Sequence, residues 1–192
     1  MSHRLCPVWI GYLLASPLRK LRQNPRTILA PFVRHGMIAL DVGSALGFFS
    51  IPLAEAVGPD GRVVCLDVQP RMLRGLEKRA RKAGVEERIE TRLCEPDALG
   101  IGDLAGKVDF ALVFAVAHEA PEPEALLAEI RATLKPRARV LLAEPKGVVP
   151  ASEWAAMLDA AGRAGLAPTA FPSLGGVRAA VLETPARTER ER

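Results

Sequence analysis

Short apolar runs alternate with amphipathic stretches along most of this chain. Runs at residues 38–41, 62–67, 89–94, 108–114, 139–144, 166–170 and 177–182 have the length of strands, and 108–114 (Val-Asp-Phe-Ala-Leu-Val-Phe) is nearly all apolar. Such continuous runs suit parallel strands buried on both faces. Between them, residues 48–57, 73–83, 123–134 and 153–164 repeat apolar side chains at helical spacing, and 73–83 carries a strongly basic remainder that reads as a solvated outer face. The punctuation agrees. Asn24-Pro25 predicts an N-cap and first helical position opening a helix over 26–33, which Pro31 ends or kinks. Gly58-Pro59-Asp60-Gly61 is a turn, Gln69-Pro70 opens the long helix, Gly84 closes it, and Ser152 and Gly165 bracket the last helix. Strand and helix alternating in this way predict an α/β doubly wound sheet with three α/β/α layers.

Length adds a limit of one principal domain: 192 residues bury roughly 70% of their unfolded surface. We expect a helical N-terminal segment over 1–35, the α/β domain over 36–183 and a charged, disordered tail over 184–192. No apolar run approaches the roughly 18 residues of a membrane span. Residues 8–15 faintly resemble a signal-peptide core, but Pro7 and Gly11 interrupt them and a basic segment, 17–22, follows. Three widely spaced cysteines (Cys6, Cys65, Cys94) fit a reducing compartment, so a cytoplasmic location is expected. The net charge of +4 owes something to Arg187, Arg190 and Arg192 in the tail. With 5% aromatic residues and none interleaved with basic ones, nucleic acid is not the expected partner.

The candidate chemistry begins at the first strand. Asp41-Val42-Gly43-Ser44-Ala45-Leu46-Gly47 is strand, tight small-residue turn, then helix, which lets a ligand reach backbone N–H groups at a helix start. A dinucleotide fingerprint would need glycines at 43, 45 and 48, and position 48 is Phe. The pattern D-x-G-x-A-x-G instead resembles motif I of the class I S-adenosylmethionine (SAM)-dependent methyltransferases, [DE]-x-G-x-G-x-G, with Ala45 in place of the middle glycine. Asp67, 24 residues past Gly43, ends the second strand where the family's acid receives both ribose hydroxyls. Cys94-Glu95-Pro96-Asp97-Ala98-Leu99 resembles the adenine-contact segment. Glu95 matches the acid, Pro96 removes an N–H donor, and Asp97 is a substitute acid if the loop is shifted. The Leu134-Lys135-Pro136 stop before 139–144, with Arg137 and Ala138 replacing two glycines, resembles the ubiquinone and menaquinone methyltransferase-like branch.

The resemblance implies a Rossmann-like seven-stranded sheet with an antiparallel last strand and residues 1–35 as a helical lid, with Trp9, Tyr12, Leu13 and Leu14 over the substrate; the alternative for these side chains is that they only cover core surface. It implies SAM as cofactor, S-adenosylhomocysteine as product, and a small-molecule methyl acceptor. The implied cofactor contacts are Asp41, Gly43, Ser44, Ala45, Gly47, Asp67, Val68, Met72, Glu95, Pro96 and Ala115. In-line methyl transfer needs alignment, and a base only for an acceptor that begins protonated. His118, in the loop after the fourth strand, is the candidate catalytic base, with Glu119, Glu144 and Lys146 behind it. The alternative for His118 is a purely structural bond to the loop backbone. An RNA or protein acceptor, favoured by the basic segment 17–22, and a non-catalytic SAM-binding role, favoured by Ala45 and Pro96, are the competing readings. No metal is expected, although His3, Cys6 and Cys94 raise the thought of a soft metalloid substrate.

Overall fold

The computed structural model describes residues 23–184. Its centre is a seven-stranded sheet in the order β3-β2-β1-β4-β5-β7-β6. The strands are β1 (Ile38–Val42), β2 (Arg62–Asp67), β3 (Ile89–Leu93), β4 (Val108–Phe114), β5 (Leu134–Pro145), β6 (Ala167–Ala170) and β7 (Val177–Glu183). β1 pairs in parallel with both β2 and β4, so the strand order reverses between β1 and β4. β7 is antiparallel to β5 and to β6. This is the fold expected from the sequence, including its antiparallel last strand.

The helices are α1 (Pro25–Leu29), α2 (Ser50–Val57), α3 (Pro70–Ala83), α4 (Pro123–Thr133) and α5 (Ala151–Arg163). They pack in two layers because side chains alternate along each strand. Leu40, Val42, Val64, Leu66, Ala111, Val113, Val140 and Leu142 face Leu127 and Ile130 of α4 and Met157 and Ala161 of α5. Ala39, Val63, Cys65, Phe110, Leu112 and Leu141 face Leu29 of α1, Leu53 of α2 and Leu76 of α3. Residues 23–35 belong to this second layer. Asn24 accepts the Arg26 N–H at 3.1 Å, the helix stops before Pro31, and Phe32 stacks on Phe110 at 5.5 Å. The side chains on which the expected lid rests, Trp9, Tyr12, Leu13 and Leu14, lie outside the described residues.

Three boundaries differ from the sequence expectation. The helix expected from Phe48 begins at Ser50, because Gly47 at φ +79° holds the chain in the turn. Ser152 is not a cap: α5 begins at Ala151 with Pro150 in the cap position and no side-chain bond there. β5 starts at Leu134, directly after α4. Residues 135–138 form an irregularity in the β4–β5 ladder, between the pairs Val108/Leu134 and Phe110/Arg139. Pro136 has no N–H to give a ladder, and Arg137 sits at φ +63°, the conformation for which glycine is the cheap residue.

Candidate active site

A cavity of about 590 Å³ opens at the carboxyl ends of β1, β2 and β4, at the reversal of strand order. Ligands of open α/β sheets settle in this crevice, and the volume is that of a small-molecule site. Its walls run from the turn after β1 to Pro145, Val148 and Val177 at the other side. Ten of the eleven residues proposed from sequence as cofactor contacts line it, and so does His118; Gly47 does not reach the wall and serves the turn through its backbone conformation.

The turn after β1 is built on left-handed backbone: Gly43, Ala45 and Gly47 have φ of +70°, +46° and +79°. A Cβ on Gly43 would lie 2.5 Å from Val116, so only glycine lets the two loops at the switch point meet. Ala45 keeps the left-handed conformation despite its methyl group, at a cost of about 1–2 kcal/mol. Its N–H donates to Asp67 Oδ2 at 2.9 Å, while the Gln69 N–H donates to Asp67 Oδ1 at 2.8 Å. The cap position of α3 is Gln69, so Asp67 is not the cap; its carboxylate ties the first turn to the second. Burial pushes its pKa up, and these two N–H bonds hold it back. Each oxygen retains a lone pair for a further donor.

Asp41 lies one strand away and is 3% exposed. Burial pushes its carboxyl up to about 7 against the Ser50 hydroxyl, which donates to Oδ2 at 2.5 Å, and the charge of Asp67 raises it further. Sequence reasoning did not find Ser50. The signal was a hydroxyl in the first turn of the helix that folds back over the acid. Ser44 Oγ is the only buried side-chain polar atom among the described residues without a hydrogen-bond partner. A buried hydroxyl left unpaired is costly unless a ligand completes it.

Beyond β2, Cys94, Glu95 and Pro96 reach the cavity together with Val68, Met72 and Leu99. Glu95 and Ala98 exchange backbone bonds at 3.1 and 3.3 Å, forming a tight turn. Asp97, the substitute acid, does not line the cavity. Cys94 is pushed up to about 11 by burial and by the neighbouring Asp67 and Glu95 charges, so it is a poor soft ligand at neutral pH. Cys65 is buried on the α1–α3 side, His3 and Cys6 lie outside the described residues, and no group of three metal-ligating side chains occurs among those described.

After β4, Ala115 at φ +58° donates its N–H to Ala143 at 2.7 Å and turns the chain into a 3₁₀ turn, Ala117–Glu119. His118 Nδ1 lies 2.6 Å from Glu144 Oε2. Glu144 Oε1 accepts the N–H groups of Ala117 and His118 at 2.8 and 3.3 Å. Glu144 is fully buried and does not line the cavity, so it is not a base at the rim. The partner of His118 is this carboxylate, not the loop backbone. The bond to Glu144 raises the His118 pKa, burial opposes it, and Glu119 and Glu153 add to the rise. Lys146 is exposed and absent from the cavity wall, whereas Glu119 lines it.

An adenosyl ligand with a polar tail fits these groups. Asp67 can accept from vicinal hydroxyls, Ser44 needs a polar partner, and Val68, Met72 and Leu99 supply apolar walls. The comparisons point the same way. Residues 34–164 match a family described as "Methyltransferase domain". An arsenite methyltransferase of Halobacterium salinarum is 31% identical over 63% of this chain and 30% of its own length. A demethylmenaquinone methyltransferase of Lactobacillus johnsonii is 30% identical over 58% of this chain and 45% of its own. The chain thus spans less than half the length of these curated relatives. A crystal structure of a SAM-dependent methyltransferase from Aquifex aeolicus superposes with a TM-score of 0.81 at 25% identity, covering 93% of this chain and 98% of that one. The chain therefore belongs to the methyltransferase-domain family and carries a class I SAM-dependent methyltransferase domain.

Proposed function

We propose that the chain methylates a small apolar molecule, in the manner of the ubiquinone and menaquinone methyltransferase-like branch, in the cytoplasm. The observation that carries this reading is the continuity of one cavity from the Gly43–Gly47 turn to a wall of Phe49, Phe114 and Val177. In this reading SAM supplies a methyl group already activated on a sulfonium. Asp67 accepts from its ribose hydroxyls, Glu95 from its adenine amino group, and the 43–47 turn, with Ser44, receives the methionine end. Val68, Met72 and Pro96 flank the base, Asp41 supports the turn from below through Ser50, and Ala115 closes the switch point opposite Gly43. His118 stands where an acceptor would lie.

The test is calorimetric titration with SAM and S-adenosylhomocysteine, followed by a screen of hydroxylated aromatic and quinol-like compounds for S-adenosylhomocysteine release. Micromolar SAM binding with turnover of a small acceptor is expected. Failure to bind SAM would overturn the reading. A second reading rests on the outer face of α3, where Arg71, Arg74, Lys78, Arg81 and Lys82 are exposed. An RNA acceptor would be marked by salt-dependent oligonucleotide binding that weakens when these are replaced.

A further inference from the structure

The far end of the cavity narrows the chemistry of the acceptor. Phe48 and Phe49 meet edge-to-face at 5.1 Å, and Phe49 and Phe114 meet at 4.5 Å. With Val148 and Val177 they form a wall suited to a flat apolar body. Among the described residues, no lysine or arginine lines the cavity. An acceptor carboxylate or phosphate ester at this end would lose hydration with no lysine or arginine among the described residues to offset it.

At this end the two nitrogens of His118 are not equivalent. Glu144 is fully buried and held by two backbone N–H groups through Oε1, so it cannot swing away from the ring. Its Oε2 offers only lone pairs to Nδ1 at 2.6 Å, so Nδ1 carries the hydrogen and Nε2 is the basic atom of the neutral ring. This is the arrangement in which a buried carboxylate fixes the tautomer of a histidine base. Strand parity puts Glu144 on the α4–α5 side of β5 with Val140 and Leu142, beneath the Ala117–Glu119 turn of the adjacent β4.

Resting on the methyl-transfer reading above, we propose that the acceptor is a flat, uncharged molecule bearing a phenolic or enolic hydroxyl, that His118 Nε2 is its catalytic base, and that Glu144 is the positioning residue. The hydroxyl proton passes to Nε2, and an oxygen lone pair forms the new O–C bond to the methyl carbon. The C–S bond breaks with its electron pair remaining on sulfur, which becomes a neutral thioether. The imidazolium formed is stabilised against Glu144 and gives its proton to solvent before the next turnover. The charged groups facing the ring are Glu144 of β5, Glu119 of its own turn and Glu153 of α5, all acidic, so the base stays protonated to a higher pH than a free histidine.

Two measurements on the whole chain do not depend on turnover. Nitrogen NMR of the imidazoles should show His118 with Nδ1–H and a bare Nε2 above its pKa, and Glu144→Gln should move its titration to lower pH. The second uses 4-nitrophenol as probe. The wild-type chain should bind it as the phenolate and give the visible absorption band at a pH where the free phenol is largely neutral. His118→Gln should abolish that band, and Glu144→Asp should retain more of it than Glu144→Gln. SAM calorimetry and thermal melts on the same samples separate the outcomes. If SAM fails to bind the wild-type chain, the methyl-transfer reading fails. If SAM binds but the phenol does not, or binds without ionising, or ionises equally in folded His118→Gln, this proposal is overturned. An Nε2–H tautomer in the wild-type chain overturns it as well. Should a variant fail to fold, the wild-type tautomer and the wild-type probe spectrum still decide.

Discussion

The two sides of the cavity use a buried carboxyl differently. On the β1–β2 side, Asp41 meets one neutral hydroxyl, Ser50, and is pushed up to about 7. On the β4–β5 side, Glu144 meets two backbone N–H groups and an imidazole. Asp41 and Asp67 brace a backbone turn against a second loop, so this half is shaped by main chain and tolerates little change. The other half is side-chain surface, mostly phenyl and valyl, around one polar pair. A half made of backbone fits one invariant ligand; a half made of side chains can be recut for many acceptors.

Crossed substitutions test that contrast most strongly. His118→Gln should lower kcat by about 10²–10⁴-fold, the usual contribution of a positioned base, while SAM affinity by calorimetry moves only a few-fold. A matching loss of SAM affinity would show that the two halves are not separable. Next in size is the pH dependence of stability. Asp41 has its folded pKa raised above the ordinary 3.8, so the folded chain holds a proton that the unfolded chain has lost. Stability then falls as pH rises from about 4 to about 7 and is flat above. Asp41→Asn should remove that slope, a difference on the order of 4 kcal/mol by pH 8 in denaturant melts. Parallel pH curves for the two proteins would place the proton elsewhere.

Asp67→Ala should weaken SAM by about 3 kcal/mol, somewhat over a hundredfold, through the loss of two hydrogen bonds to a charged group. An unchanged titration would move the ribose site. The smallest effect expected is at Ala45→Gly. Relief of the +46° conformation is largely offset by the greater freedom of glycine in the unfolded chain, so stability should stay within about 1 kcal/mol and SAM affinity hold or rise. Lost affinity in a folded Ala45→Gly chain would make the methyl group a contact rather than a blemish.

The same division governs how much could be read from the sequence. The turn from Asp41 to Gly47 is contiguous, and Asp67 ends the next strand, so the motif resemblance pointed to residues that, Gly47 apart, line the cavity. The His118–Glu144 pair is 26 positions apart and exists only because β4 and β5 are neighbours with Phe114 opposite Ala143. Glu144 read as a rim acid because the register that buries it is a property of the sheet. Val148, in the turn after β5, and Val177, at the start of β7, joined the cavity for the same reason. Ser152 misled because a hydroxyl before an apolar helical stretch is a cap signal that Pro150, with its fixed φ, supersedes by starting the helix two residues earlier.

The strand order carries a further consequence, for synthesis. β7 is last in sequence yet sits between β5 and β6. Strands β1 to β4 are all present once residue 114 has left the ribosome, so the Asp67-braced turn can assemble early. The outer edge of β5 must wait for β7: Glu144 has Arg178 as its ladder partner, and Arg139 has Glu183. Until those residues emerge, β5 offers a long open edge of the kind that recruits other chains. A nascent chain stalled before residue 177 would therefore hold a formed cofactor turn beside an exposed, aggregation-prone strand.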